Sequence, residues 1–194
     1  MIDGEEKLVK DAIRGEASAF GSLYDRYQPR IYRFVYLKVS HREEAEDLTH
    51  QIFLSAWQNM ASFSPREGVP FSAWLYGIAR NKIIDHYRVR RQAISLEDAN
   101  QETFQIAPAS DRNAELALMT TRIRSALKTM SADFREVIIL RFVEEMSIKE
   151  TSAIMNKSNG AIKILQHRAI KALRESLAKQ EQKNIKEKTN ERFA

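Results

Sequence analysis

The stretch 147–177, SIKETSAIMNKSNGAIKILQHRAIKALRESL, decides how this chain folds. Ser147-Ile-Lys-Glu150 has capping-box spacing: the serine can accept from a backbone amide while the glutamate reaches back to the cap. That predicts a short helix through Ile154. Asn156 tolerates the left-handed conformation that a tight helix exit needs. Ser158 then caps a long final helix. Two helices separated by so short a turn form a helix-turn-helix. Upstream, Ser131 can cap a helix carrying Phe134, Val137, Ile138 and Phe142. On the final helix, Ile162, Leu165, Ala169, Ala172, Leu173 and Leu177 form an apolar stripe. Lys163, Gln166, His167, Lys171 and Arg174 lie on another side, with Arg168 beside them. Such a face suits a DNA major groove, where Lys, Arg and Gln reach base edges and phosphates. A solvated basic face on an ordinary bundle helix has the same pattern, so periodicity and charge alone leave both readings open.

The remaining chain is also helical in period. Leu8, Val9, Ala12 and Ile13 mark a first helix that Gly15 can end. Phe20, Leu23, Tyr24, Tyr27, Ile31, Phe34 and Val35 follow, with Pro29 expected to kink or split the pattern because it lacks an amide donor. Ala45, Leu48, Ile52, Phe53, Ala56 and Trp57 give a third helix, ending near Met60. Pro65 and Gly68 make 61–70 a loop. Trp74, Leu75, Ile78, Ala79 and Ile83 form a fourth, running into Arg88-Val-Arg-Arg91. From Gln92 to about Arg112 the period vanishes, and Glu97, Asp98, Glu102, Pro108 and Asp111 read as an acidic connector. The expected fold is all-α. Two small helical domains, 1–91 and 113–178, are joined by a flexible acidic linker, 92–112, and followed by a charged tail, 179–194.

Composition narrows the function. Among 194 residues only 6 are Gly and 4 Pro, which argues against many-turned β architectures and Gly/Pro-rich disorder. No apolar run approaches the roughly 18 residues of a membrane span, and MIDGEEKLVK has no signal-peptide core. The absence of Cys removes disulfides and thiolate chemistry, and fits a reducing cytosol, so a cytoplasmic location is expected. A net charge of +5 leans towards acidic partners. His41, His50, His86 and His167 lie in separate segments without ligand spacing, and no Gly-rich phosphate loop occurs. Nothing here points to a catalytic set, a metal or a cofactor.

Two N-terminal faces differ in charge. Glu43, Glu44, Glu46 and Asp47 crowd a first helical turn, which offsets the helix dipole but could also receive a basic partner. On the fourth helix Arg80, Asn81, Ile84, Asp85 and Arg88 share a side, and Arg88, Arg90 and Arg91 end it. Phe63, Phe71, Trp74, Tyr76 and Tyr87 cluster nearby. Aromatics beside a basic groove hold unpaired strands by stacking, although most of these rings are expected to be core, Phe71 and Trp74 above all, with Phe63 open to either reading.

ARNKIIDHYRVRR (79–91), with EEAEDLTHQIFLSAW (43–57) before it and the helix-turn-helix after it, resembles the extracytoplasmic-function (ECF) sigma factors, the minimal branch of the bacterial sigma-70 family. The likeness runs from about Ala17 to Leu177 in order and spacing. In that family a segment close to DAEDLTQEVF docks on the clamp helices of the largest subunit of core RNA polymerase. The resemblance therefore implies docking through Asp47, Leu48, Gln51, Phe53 and Leu54, with His50-Gln51 replacing the common Gln-Glu pair. It implies that Phe63, Arg80, Asn81, Asp85, Arg88 and Arg91 melt and read the −10 element. It implies −35 reading by Ser158, Asn159, Lys163, His167, Arg168 and Lys171, the family pattern being near SVGTVKSRLHRARKAL, with Ile164-Leu165 in place of Ser-Arg. Thr151 and Ser152 stand where Ile and Ala are common, which should loosen packing in the helix before it.

Further expectations follow from the resemblance. The partners would be core polymerase (clamp helices and flap), promoter DNA and an anti-sigma protein wedged between the blocks, without membrane insertion and with the free chain a monomer. The linker would thread towards the RNA exit path. A rival reading is a stand-alone helix-turn-helix regulator, dimeric through its N-terminal block and binding a palindrome without polymerase.

Overall fold

Helices account for nearly all regular structure in the residues described by this computed structural model, 4–64, 69–94, 122–123 and 125–191. They are α1 (Glu5–Ile13), α2 (Ala17–Val39), α3 (Arg42–Gln58), a 3-10 turn (Met60–Ser62), α4 (Phe71–Ile94), α5 (Ala132–Ile138), a π turn (Ile139–Val143), α6 (Ile148–Met155) and α7 (Asn159–Glu191). Residues 125–129 are helical as well. From residue 95 onward the expected linker lies outside the described residues, and 92–94 complete α4. The chain forms two compact units. One gathers Met1–Asp98 with Ile139–Ile162, the other Ala99–Ile138 with Lys163–Ala194. This grouping differs from the division by sequence block, because 139–162 clusters with the N-terminal helices.

In the first unit α2, α3 and α4 pack on one another through Leu23, Ile31, Phe34, Val35, Ile52, Ala56, Leu75, Ala79 and Ile83, all buried. Apolar residues at helical spacing on each segment build this core. Helix α2 is continuous across Pro29, so the expected split does not occur. Pro29 and Asp25 face solvent, where water can take the carbonyl that proline leaves unbonded, while Tyr27 and Ile31 are buried on either side. Helix α1 is tied to α2 by Glu5, which accepts from the Tyr27 hydroxyl at 3.0 Å and pairs with Arg26 at 3.5 Å. Burial, reinforced by the Glu5 carboxylate, pushes the Tyr27 phenol far up, so it remains a donor.

The capping box is present. Ser147 Oγ accepts from the Glu150 amide at 3.2 Å, and Glu150 Oε2 accepts from the Ser147 amide at 2.7 Å. Ser147→Ala should lower stability by about 1 kcal/mol. A urea midpoint unchanged by that substitution would remove the cap from the account. Helix α6 ends at Asn156 with φ 52°, the left-handed exit its sequence suggests. Thr151 does not loosen α6: it is fully buried and its hydroxyl donates to the Ser147 carbonyl at 2.8 Å. Ser152 Oγ donates to the Lys157 carbonyl and closes the following turn.

Phe142 departs from expectation. It is 54% exposed. The π turn spreads each turn over more residues than an α-helix, as the Glu144 amide bonding the Ile139 carbonyl at 3.0 Å shows, and this rotates Phe142 off the stripe. The second unit buries Ala126, Leu127, Met130, Val137, Ile138 and Ala169. Arg135 fastens its helix end, donating to the carbonyls of Leu127 and Lys128, both at 2.8 Å. Those carbonyls lie in the final turn of the preceding helix, 125–129, where a cation is a favourable partner, and that of Leu127 also accepts from the Met130 amide at 3.3 Å.

Candidate nucleic-acid and partner interfaces

Helix α3 sorts its residues by period. Asp47, Gln51 and Leu54 recur at i, i+4 and i+7 on an exposed face, with Leu54 57% exposed. Leu48 and Phe53 are on the opposite side, 5% and 4% exposed, and Phe53 packs edge-on to Tyr24 at 4.6 Å. As surface contacts those two expectations do not hold in this conformation, since both side chains are core and can only brace the face from beneath. Trp57, three residues after Leu54, is 37% exposed and leans on Phe20 at 4.9 Å. It extends the apolar part of the face, and its i+3 spacing from Leu54 was the signal for it.

The acidic first turn of α3 is divided as well. Glu44 accepts from His86 at 3.2 Å and Arg90 at 2.9 Å, stitching α3 to α4, and Glu46 pairs with Arg42 at 2.8 Å. His41 caps the helix through Nδ1. Glu43 and Asp47 remain exposed for a partner.

On α4, Asn81, Asp85 and Arg88 are exposed at i, i+4 and i+7, and Arg88 pairs with Asp85 at 3.1 Å. Arg80 is half-buried, and the Arg91 side chain lies outside the described residues. The aromatic cluster is largely packing. Phe63 is 8% exposed, its ring 4.8 Å from Trp74 and 5.8 Å from Phe71. Its expected part as a base contact therefore needs the ring to leave this packing, because it is buried against both neighbours. Tyr76 is buried, and the Tyr87 hydroxyl caps the end of α2 through the Lys38 carbonyl at 2.7 Å. Ile84 and Val89 are exposed beside the polar residues.

Ser158 opens the last helix, its Oγ accepting from the Ala161 amide at 3.2 Å, and Ser158 and Asn159 are both exposed. Along α7, Lys163, His167 and Lys171 recur every fourth residue and are exposed, as is Arg168. Ile162 and Ala169 are buried. A helix that buries one stripe and exposes a cationic face after a capped tight turn has the geometry with which helix-turn-helix proteins enter the major groove. Among the described residues no cluster of His, Asp or Glu could hold a metal ion, and no helix is long and apolar enough to cross a membrane.

Comparison with known proteins agrees with both ends of this picture. The family models for Sigma-70 region 2 and Sigma-70, region 4 match residues 23–93 and 126–175. SigX of Bacillus subtilis, an ECF RNA polymerase sigma factor, is 32% identical over 164 residues, covering 81% of this chain and 83% of SigX. The chain belongs to the ECF RNA polymerase sigma factors. BldN of Streptomyces coelicolor, another member, is 36% identical over 168 residues, and the match spans 86% of this chain but 63% of BldN. The solved structure of the sigma factor RpoE with the anti-sigma factor NepR from Bartonella quintana superposes with a TM-score of 0.71 at 30% identity, covering 82% of this chain and 96% of the RpoE chain. Membership carries the function: an RNA polymerase sigma factor directs promoter-specific transcription. The region 2 match through α2, α3 and α4, beside the region 4 match, sets aside the stand-alone regulator.

Proposed function

We propose that this ECF sigma factor grips core polymerase through the exposed α3 face of Asp47, Gln51, Leu54 and Trp57. Asn81, Asp85 and Arg88 of α4 then meet the −10 element, with Arg80, Arg91 and a displaced Phe63. Ser158, Asn159, Lys163, His167, Arg168 and Lys171 read the −35 element. The functional division is region 2 over 1–91, connector over 92–112 and region 4 over 113–178. The observation that carries it is the coexistence, in one chain, of an acidic–apolar face on α3 and a cationic helix after a capped turn. The protein supplies recognition and strand capture, and polymerase supplies the chemistry, so the chain acts in the cytoplasm without catalysis, metal or cofactor. Strand opening opposes stacking of about 1.4 kcal/mol per base step, and binding at the other surfaces must offset it. RpoE was solved with an anti-sigma factor; we extend a partner of that kind to this chain, which is monomeric when free.

Run-off transcription with purified core polymerase and a promoter library tests the assignment: specific initiation should require this chain. Lys163→Ala and Arg168→Ala should each weaken promoter-duplex binding roughly tenfold or more. Each should also flatten the log-log salt slope by about 0.9 if the lost contact is a phosphate. Core affinity should stay unchanged. Equal loss of core binding in both variants contradicts the division of labour.

A further inference from the structure

Ile164 is the only large apolar side chain of α7 that is exposed among the described residues, at 56%. At about 100° per residue, it stands about 140° around the helix from Ala169 and about 160° from Ile162, both of which are buried. It therefore occupies the middle of the outer face, well away from the packed stripe. Lys163, His167, Arg168 and Lys171, all exposed, surround it. Leu165, the next residue, is half-buried. Neither packing nor helix propensity accounts for an isoleucine here. A β-branched side chain is a weaker helix former than the lysines and arginines around it, and this one stands mostly in solvent.

Its cationic neighbours decide what such a side chain meets. Long lysine and arginine side chains reach phosphates on the walls of a groove, and those contacts position a helix without reading sequence. Isoleucine is short, and in a helix its χ1 is held almost entirely to one rotamer, so it touches only what lies directly under the helix. In α7, which begins at Asn159, Ile164 falls in the second turn, and the N-terminal residues of a recognition helix are the ones that contact base edges. In the major groove every base presents hydrogen-bonding atoms, and thymine alone adds an apolar group, its C5-methyl. Over guanine, adenine or cytosine, Ile164 would strip water from a donor or acceptor and return no hydrogen bond. Over thymine it covers a methyl group.

We propose that Ile164 is a specificity-determining residue that reads a thymine methyl group, so that this sigma factor selects an A·T pair at one position of its −35 element. The inference rests on the −35 reading of α7 given above. Holoenzyme, the full-length chain on core polymerase, can select from promoter-length duplexes randomised over the −35 region. Thymine should be enriched at one position with the unaltered chain. Ile164→Ser should lose that enrichment at that position alone. In the selected duplex, deoxyuridine in place of that thymine removes the methyl group and keeps the base pair. Binding of the unaltered holoenzyme should then weaken about fourfold, the worth of one buried methyl group. Ile164→Ser should bind the thymine and deoxyuridine duplexes equally.

Ile164→Val keeps a branched apolar side chain and should keep most of the discrimination. Ile164→Ser removes no phosphate contact, so its log-log salt slope should match that of the unaltered chain, unlike that of Lys163→Ala. The deoxyuridine comparison on the unaltered chain needs no variant, and it decides the matter even if the serine disturbs the helix. Equal binding of the two duplexes by the unaltered holoenzyme overturns the inference, as does a thymine preference that survives in Ile164→Ser. A loss of core affinity in Ile164→Ser with the preference intact also overturns it, and makes Ile164 a contact for protein. Failure to select any −35 sequence overturns the reading of α7 itself. Selection of a −35 element without thymine leaves that reading standing and overturns only the part given to Ile164.

Discussion

Phe34→Ala is expected to cost about 3–5 kcal/mol, a substantial part of the roughly 5–15 kcal/mol that holds a native protein together. Phe34 is completely buried in the first unit, edge-on to Tyr76 at 5.1 Å with the Lys38 ammonium 5.0 Å over its ring. Truncation removes apolar area and an aromatic pair, and leaves a cavity that rigid neighbours cannot close. It also takes away support beside Tyr76, the residue whose hydroxyl reaches Glu144. The melting temperature should fall by roughly 10 °C or more. A loss under about 1 kcal/mol would mean that α2 and α4 are not packed through this ring.

Leu54→Glu should do the opposite: leave the fold alone and damage assembly. Leu54 is 57% exposed on α3, so its replacement by a charge should change stability by no more than about 0.5 kcal/mol. At the centre of the proposed docking face, with Trp57 a turn away, an apolar anchor is worth about 2 kcal/mol or more, which is roughly a 30-fold loss of core affinity. Retained helicity together with that loss, measured by titration of labelled sigma factor with core polymerase, is the expected pair of results. Unchanged core affinity would place the docking face elsewhere. Promoter binding by the assembled fraction should be unaffected, which separates this variant from those on α7.

Much of the site was legible in the sequence because it is local. The capping box at Ser147, the left-handed exit at Asn156 and the exposed period of Lys163, His167 and Lys171 depend on residues within a turn or two of one another. Other expectations failed for the same reason seen from outside. A motif places Leu48, Phe53 and Phe63 in a functional segment, but which side of the helix or loop faces solvent depends on what α2 and α4 bring against it. The split at Pro29 was a local rule overruled by packing on both flanks.

Glu144 is the clearest division between the two kinds of information. It lies seven residues after Val137 and four after Leu140, so a carboxylate on the apolar face was a visible anomaly in the sequence. Its resolution was not visible, because the donors, Arg33 and Arg30 on α2 and Tyr76 on α4, are 111, 114 and 68 residues away. Burial and the Glu144 charge in turn push the Tyr76 phenol far above its ordinary range, keeping it a donor.

The sequence by itself determined helices, caps, the turn and the family, since periodicity and capping are written within a few residues and segment order along the chain. Only the tertiary structure decided which of the named side chains reach solvent and what neutralises Glu144. Burial and charge pairing are set by segments far apart in the chain, and no local pattern encodes who their neighbours are.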